Sequence, residues 1–165
     1  MVEGAPSLRA AAMQMILRLH RLSAWLHRAR LSALSRAVDG VSRVLFAACV
    51  PGRARIGKNV FLHHSGLGVV INGLCVIEDD CEIGVHVVLG GRAPEIGAPH
   101  LERGVIVHAG ARIVGPLRIG AGAVVGANAV VLADVPAGCL AVGVPALVKR
   151  LDLDARSYAH RASPR

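Results

Sequence analysis

The sequence predicts a mainly β chain wound as a parallel β-helix, a solenoid of short strands with an α-helical cap before it. Three observations carry that expectation. Apolar residues return at every sixth position: Ile71, Ile77, Ile83 and Leu89, then Leu101, Val107, Ile113, Ile119, Val125 and Val131. Four residues after these openers stand smaller ones, among them Cys75, Cys81, Val87, Ala111, Ala123 and Ala129. Hydrophobic residues make up 53% of the chain and aromatic ones only 2%, so β-branched and small aliphatic side chains must fill the interior. A period of six matches neither the helical repeat of about 3.6 nor the alternation of a plain strand, whereas hexapeptide periods mark solenoids. Each hexad is then a short strand and a bend: the opener points inward, and the small residue fits the corner. No hexad buries its apolar side alone, so stacked coils share one continuous core.

The elements follow in order. Residues 1–50 read as an N-terminal helical segment, 51–148 as the repeats and 149–165 as a basic C-terminal tail. Residues 1–7 form a loose start. From about Leu8 to Arg30, Met15, Leu19, Leu22 and Leu26 form one apolar helical stripe, with Trp25 at its edge, placed to pack on the solenoid or on a neighbouring subunit. A second helix, Leu31 to Phe46, presents Leu34, Val38, Val41 and Leu45, with Gly40 as a weak point. The two helices are expected to cap the open end of the solenoid, whose edge otherwise exposes unpaired backbone groups.

Pro51-Gly52 closes the helical part, and Ile56-Gly57 opens the repeats, with Val60 at the small position. From Leu62 the next opener, Ile71, comes nine residues on instead of six. Three extra residues are thus extruded within His63-His64-Ser65-Gly66-Leu67-Gly68. A second break, Gly90 to Pro99, replaces one hexad's worth of chain with a Gly- and Pro-rich loop. After Val135 the regularity fades through Pro136-Ala137-Gly138 into Val142-Gly143-Val144-Pro145.

Charge narrows the function. The net charge of +8 divides into +7 over residues 1–55, −2 over 56–148 and +3 over 149–165, so the solenoid itself is not basic. With one Trp, one Tyr and two Phe there is no aromatic platform for bases, which argues against nucleic acid. The Arg-rich N-terminus leaves a weak membrane-surface tendency. The apolar run Ile119–Val148 is broken by glycines and prolines in hexad phase, so no transmembrane segment is expected. Cys49, Cys75, Cys81 and Cys139 lack CxxC spacing and read as reduced thiols, hence a cytoplasmic setting.

The first break carries the chemistry. An imidazole beside a Gly-rich loop takes a proton from a hydroxyl near neutral pH, which makes His63 and His64 candidates for a general base. A solvated loop pair is the bland reading; placement at one of only two breaks weighs against it. His86, His100 and His108 fall at different offsets from their openers and make no ligand spacing with the pair, so no metal is expected.

The run Ile56–Ile71 resembles the signature of the serine O-acetyltransferase branch of the hexapeptide-repeat acyltransferases. So do Val88–Gly91, Ala109–Pro116, Gly126–Val131 and Val142–Pro145, in the family's order, over about residues 50–150. Arg21 to Arg28 is similar to the N-terminal helices of its shorter members. The resemblance implies a left-handed β-helix, a homotrimer with active sites between subunits, and an acetyl-CoA-dependent transferase of cysteine biosynthesis. On that likeness His64 is the catalytic base. Gly90 and Gly91, with Ala109 and Gly110, lie along the pantetheine arm of CoA. Val144 and Pro145 fall near its adenine end, and Lys149 and Arg150 meet its phosphates.

Two departures stand out. The serine enzymes carry an acidic residue at the position of Cys49, leaving a backbone carbonyl or His63 to set the tautomer of His64. Their second histidine, before the Pro that closes the extruded loop, is Ala98 here; His100 is not its equivalent. The acceptor is therefore serine, or a sugar or other small hydroxyl or amine, unless the chain is a non-catalytic trimeric scaffold. The C-terminus, Ser163-Pro164-Arg165, lacks the bulky aliphatic end with which family members dock a partner enzyme.

Overall fold

The computed structural model describes residues 8–150, with side chains from 15 to 149. The loose start at 1–7 and the greater part of the basic tail, 151–165, lie outside the described residues. Helices α1 (Leu8–Arg28) and α2 (Ser32–Phe46) precede a parallel β-solenoid. Its coils run through β1 (Arg55–Ile56), β2 (Phe61–Leu62), β3 (Val70–Ile71), β4 (Val76–Ile77), β5 (Glu82–Ile83) and β6 (Val88–Gly90). They continue through β7 (His100–Leu101), β8 (Ile106–Val107), β9 (Arg112–Val114), β10 (Arg118–Ile119), β11 (Val124–Val125) and β12 (Val130–Val131). Three sheets form the faces, in the orders β1-β4-β7-β10, β2-β5-β8-β11 and β3-β6-β9-β12.

The register shows how the breaks are absorbed. In the regular part His100 pairs with Arg118, an offset of 18, or three hexads. Across the first break Phe61 pairs with Glu82, an offset of 21, and across the second Glu82 pairs with Ile106, an offset of 24. The three and six extra residues are therefore looped out, and the inward register resumes unchanged. Every opener from Ile71 to Val131 is buried, and so is every small residue from Cys75 to Val135. Each enclosed Ile or Leu contributes about 1.5–3 kcal/mol of apolar burial. Cys75 and Cys81 sit in this core as free thiols, pushed up by burial to about 12 and about 11.

At the C-terminal end β13 (Cys139–Val142) adds to β11 in parallel, and β14 (Leu147–Arg150) folds back antiparallel on it. Lys149 and Arg150 are thus strand residues at the edge of a sheet, and the basic stretch begins inside a hairpin.

The helices cap the N-terminal end as expected, with Leu26 of the α1 stripe buried, but otherwise they turn other faces inward than the stripes suggest. Ile16 enters the solenoid core, and His20, Ser23 and Leu26 are also buried. Met15, Leu22 and Trp25 are about half exposed. On α2, Leu34, Val41 and Leu45 face outward, and the buried residues are Ser35 and Ser42. A polar seam explains the inversion. Ser23 Oγ donates to Asp39 Oδ1 at 2.6 Å and lies 2.9 Å from Ser35 Oγ, while the Gly52 N–H donates to the same Asp39 oxygen at 3.2 Å. Serine is small enough for the two helices to approach closely, and Gly52 admits α1, since a Cβ there would strike the Ser23 and Ala24 backbone.

Candidate functional site

The site is built on the first break. After β2 the chain turns through a 3-10 segment, His63–Gly66, in which His64 (φ 49°, ψ 44°) and Ser65 (φ 59°, ψ 24°) both adopt the left-handed conformation. Two consecutive non-glycine residues there cost on the order of 1 kcal/mol each, and such strain concentrates at functional positions. The turn is held from three sides. Leu67 N–H donates to His64 O at 3.3 Å, Val69 N–H to Gly66 O at 2.9 Å, and Gly68 N–H to Ala47 O at 3.1 Å, tying the loop to the end of α2. Ile16 of α1 packs beneath, its Cδ1 3.3 Å from where a Cβ on Gly66 would stand. The amides of Leu67 and Val69 are thus used within the loop, and that of Gly68 at the end of α2.

The loop projects His63 and His64 over the outer face of β5 and β8. Together with Glu82, Gly84, Val85, Ile106, Val107, His108 and Ala109 they line a cavity of about 160 Å³. His64 is exposed at its mouth. His63 stacks edge-on against Phe61, ring centroids 4.7 Å apart, and its Nε2 lies 3.2 Å from Glu82 Oε2. Glu82 is only 6% exposed and stands in register between Phe61 and Ile106. A carboxylate in such a slot is costly unless it is partnered, and His63 is a partner. The cavity thus holds an exposed imidazole and, behind it, an imidazole–carboxylate pair.

Of the residues expected at the site, His63, His64 and Ala109 meet around this cavity. Gly110 follows Ala109 and is buried at φ 73°, where a Cβ would strike the Asn128 side chain. Gly90 ends β6 and Gly91 opens the loop beyond it; a Cβ on Gly91 would sit 3.1 Å from Gly97 O, so the loop base closes tightly there. Both lie outside the cavity lining of the single chain. Val144 and Pro145 form the exposed turn between β13 and β14, and Lys149 is exposed on β14; the Arg150 side chain lies outside the described residues.

Cys49 sits beyond the cavity, its Sγ 3.4 Å from Arg43 Nη2, and Ala98 packs against the core. His100 is a strand residue whose Nε2 lies 2.9 Å from Glu78 Oε1. Among the described residues no cluster of three metal-ligating side chains occurs, and no helix is long and apolar enough to cross a membrane.

Sequence reasoning passed over Glu82 and weighed His108 only as a metal ligand. Coil arithmetic contains the signal. Adding the three extruded residues to one 18-residue coil stacks Glu82 beside Phe61, and adding six stacks His108 over Gly84.

A three-faced parallel solenoid stepped in hexads, with a histidine extruded beside a small cavity, is the build of the hexapeptide-repeat acyltransferases. Comparison with known proteins refines this. The chain is 39% identical over 131 residues to a serine acetyltransferase of Synechococcus elongatus, covering 78% of this chain and 53% of that protein. It is 34% identical over 149 residues to a serine acetyltransferase of Staphylococcus aureus, covering 88% of this chain and 70% of that one. It superposes with a TM-score of 0.78 and 32% identity on the serine acetyltransferase of Brucella abortus solved in complex with coenzyme A, covering 80% of this chain and 53% of that chain. No family model matches. The chain belongs to the serine acetyltransferase family, and it spans about half the length of the Synechococcus and Brucella proteins.

Proposed function

We propose that this chain is an acetyl-CoA-dependent O-acetyltransferase of the serine acetyltransferase type, with His64 as general base. The observation that carries the reading is the strained, exposed His64 at the mouth of a cavity whose inner wall bears the His63–Glu82 pair. The coenzyme A bound in the Brucella relative supports the choice of acyl donor. His64 takes the proton of the acceptor hydroxyl as its oxygen bonds to the thioester carbonyl carbon. The carbon–sulfur bond then breaks, and the proton passes from His64 to the departing CoA sulfur. Glu82 accepts from His63 and fixes the wall against which the acceptor lies, a positioning role in place of the carboxylate that the resemblance expects at position 49.

The donor side of the proposal uses Gly90, Gly91, Ala109 and Gly110 for the pantetheine arm, and Val144, Pro145, Lys149 and Arg150 for the nucleotide end. These groups are spread over separate corners of one chain, which fits sites completed between subunits of a homotrimer.

A second acceptor, a sugar or another small hydroxyl compound, is favoured by one observation. Cys49 and Ala98 present no acid or imidazole to the cavity, while Glu82 presents a carboxylate from another wall. The test is CoA release from acetyl-CoA with L-serine and with a panel of hydroxy and amino sugars. His64→Ala is expected to lower kcat by about a hundredfold to ten-thousandfold with acetyl-CoA binding retained. Undiminished turnover in that variant would remove His64 from the mechanism. Glu82→Gln is expected to change the pH profile of kcat and the acceptor KM, leaving the KM for acetyl-CoA in place.

A further inference from the structure

A cavity larger than the one around His64 lies elsewhere. It is a groove of about 620 Å³ between α1 and the chain entering the first coil, and it shares no lining residue with the cavity around His64. One wall follows from sequence periodicity. Leu19-His20-Arg21 recurs as Leu26-His27-Arg28, seven residues or two helical turns on, so both His-Arg pairs project from the same side of α1. Arg53, in the turn after Pro51, and Arg55, the first residue of β1, line the facing wall. Gly52 lets α1 settle directly on that chain, so the two rows face each other across the groove.

The result is unusual in its charge. Arg21, Arg28, Arg53 and Arg55 all line the groove with His20 and His27, and no acidic residue does. Among the described residues none of the four guanidiniums has a hydrogen bond or ion pair. Of the carboxylates nearby, Asp39 is engaged by Ser23 and the Gly52 amide, and Asp79, beside Gly57, by the Lys58 amide and Arg103. A second feature is independent of the arginines. His20 is 5% exposed, lines the groove, and its Nδ1 is buried without any hydrogen-bond partner. Buried polar atoms without partners are rare and ask for a ligand or a water. A smaller cavity of about 330 Å³ adjoins, sharing His27, Arg53 and Arg55 as lining, so Arg53 and Arg55 stand between two neighbouring spaces.

We propose that this groove is a binding site for a di- or polyphosphate group. Four convergent guanidiniums repel one another, and a multiply charged anion relieves that repulsion where a single carboxylate does not. Their planar forks match phosphate oxygens in paired hydrogen bonds. The volume suits a ligand of nucleotide size. The shared chemistry is a diphosphate, whether free, on a nucleotide or on an anionic lipid headgroup, and the site stands whether or not the chain transfers acetyl groups.

Calorimetric titration of the full chain with pyrophosphate, ATP and inorganic phosphate tests it, beside flotation with vesicles containing cardiolipin, whose headgroup carries two phosphates. Pyrophosphate and ATP are expected to bind at least about tenfold more tightly than phosphate. Arg53→Ala/Arg55→Ala and Arg21→Ala/Arg28→Ala are each expected to weaken pyrophosphate at least about tenfold. Arg36→Ala, on the exposed side of α2, is expected to change nothing. Should either double variant melt earlier without ligand, the matching Arg→Lys pair keeps the charge, and its expected partial loss reports the forks alone. Vesicle binding that pyrophosphate competes away assigns the diphosphate site to a lipid headgroup; pyrophosphate binding without vesicle binding assigns it to a soluble ligand. Absence of polyphosphate binding, or binding equally strong in the double variants, overturns the proposal. So does a KM for acetyl-CoA that rises in step with the lost pyrophosphate affinity, for the groove would then belong to the CoA nucleotide.

Discussion

The coils and the helical cap bury their residues by opposite rules. In the coils the apolar pattern names the interior: Ile113 and Val125 are fully enclosed, and their neighbours Arg112 and Gly126 take strand and corner positions. In the cap the apolar stripe of α2 is outside, with Leu45 63% exposed and Val44 beside it 85%, while Ser23, Ser35 and Ser42 are nearly sealed. A coil has no choice of face, because one turn of chain encloses its own interior and a slip of one residue would turn every opener outward. A helix can rotate about its axis, and here close approach through serines, fixed by Asp39 and Gly52, decides the rotation. Apolar periodicity therefore predicts burial where the backbone closes on itself, and not where two elements choose how to meet.

Substitutions sharpen that contrast. The largest effect is expected for Ile113→Ala, a core truncation costing about 2–5 kcal/mol, read as a lowered urea midpoint; a change under about 0.5 kcal/mol would mean the coil interior is not packed as described. Next comes Ser23→Leu, which adds apolar bulk to a face that stripe reasoning would leave in water. It is expected to destabilise by about 1–3 kcal/mol through overpacking of the helix seam, and a neutral result would break the contrast.

A third effect is set by His20. Burial holds its pKa below the ordinary 6.5, so below that pH the unfolded chain binds the proton more readily than the folded one. Stability is then complete above about pH 6.5 and falls as acidification proceeds toward the lowered folded pKa. The expected observation is an acid-sensitive melting temperature that flattens in His20→Leu, with hydrogen exchange placing the loss in α1; equal acid sensitivity in both proteins would remove His20 as the cause. The smallest effect belongs to Leu45→Ala, expected within about 0.5 kcal/mol. A loss approaching that of Ile113→Ala would show the α2 stripe covered in solution.

The same contrast separates what was legible at the site. His63 and His64 could be read from the sequence because they interrupt a count, and an interruption is visible at any position along the chain. The Gly90–Pro99 loop is legible on the same ground. Glu82 was not read, because it occupies an ordinary outward strand position, and outward residues of a solenoid are solvated unless something covers them. What covers this one is the extruded loop itself, which folds His63 back over β5. The basic groove was half legible: the recurrence of Leu-His-Arg places two arginines on one face of α1, but nothing in the count says which chain that face will meet.

The hexad count alone determined the coil registers, the inward residues and the sizes of both breaks, because an enclosed strand has only one phase that keeps its apolar side dry. Tertiary structure alone decided the rotation of both helices, the pairing of His63 with Glu82 and the meeting of four arginines across one groove. Each of those depends on a contact between segments whose separation no local period records.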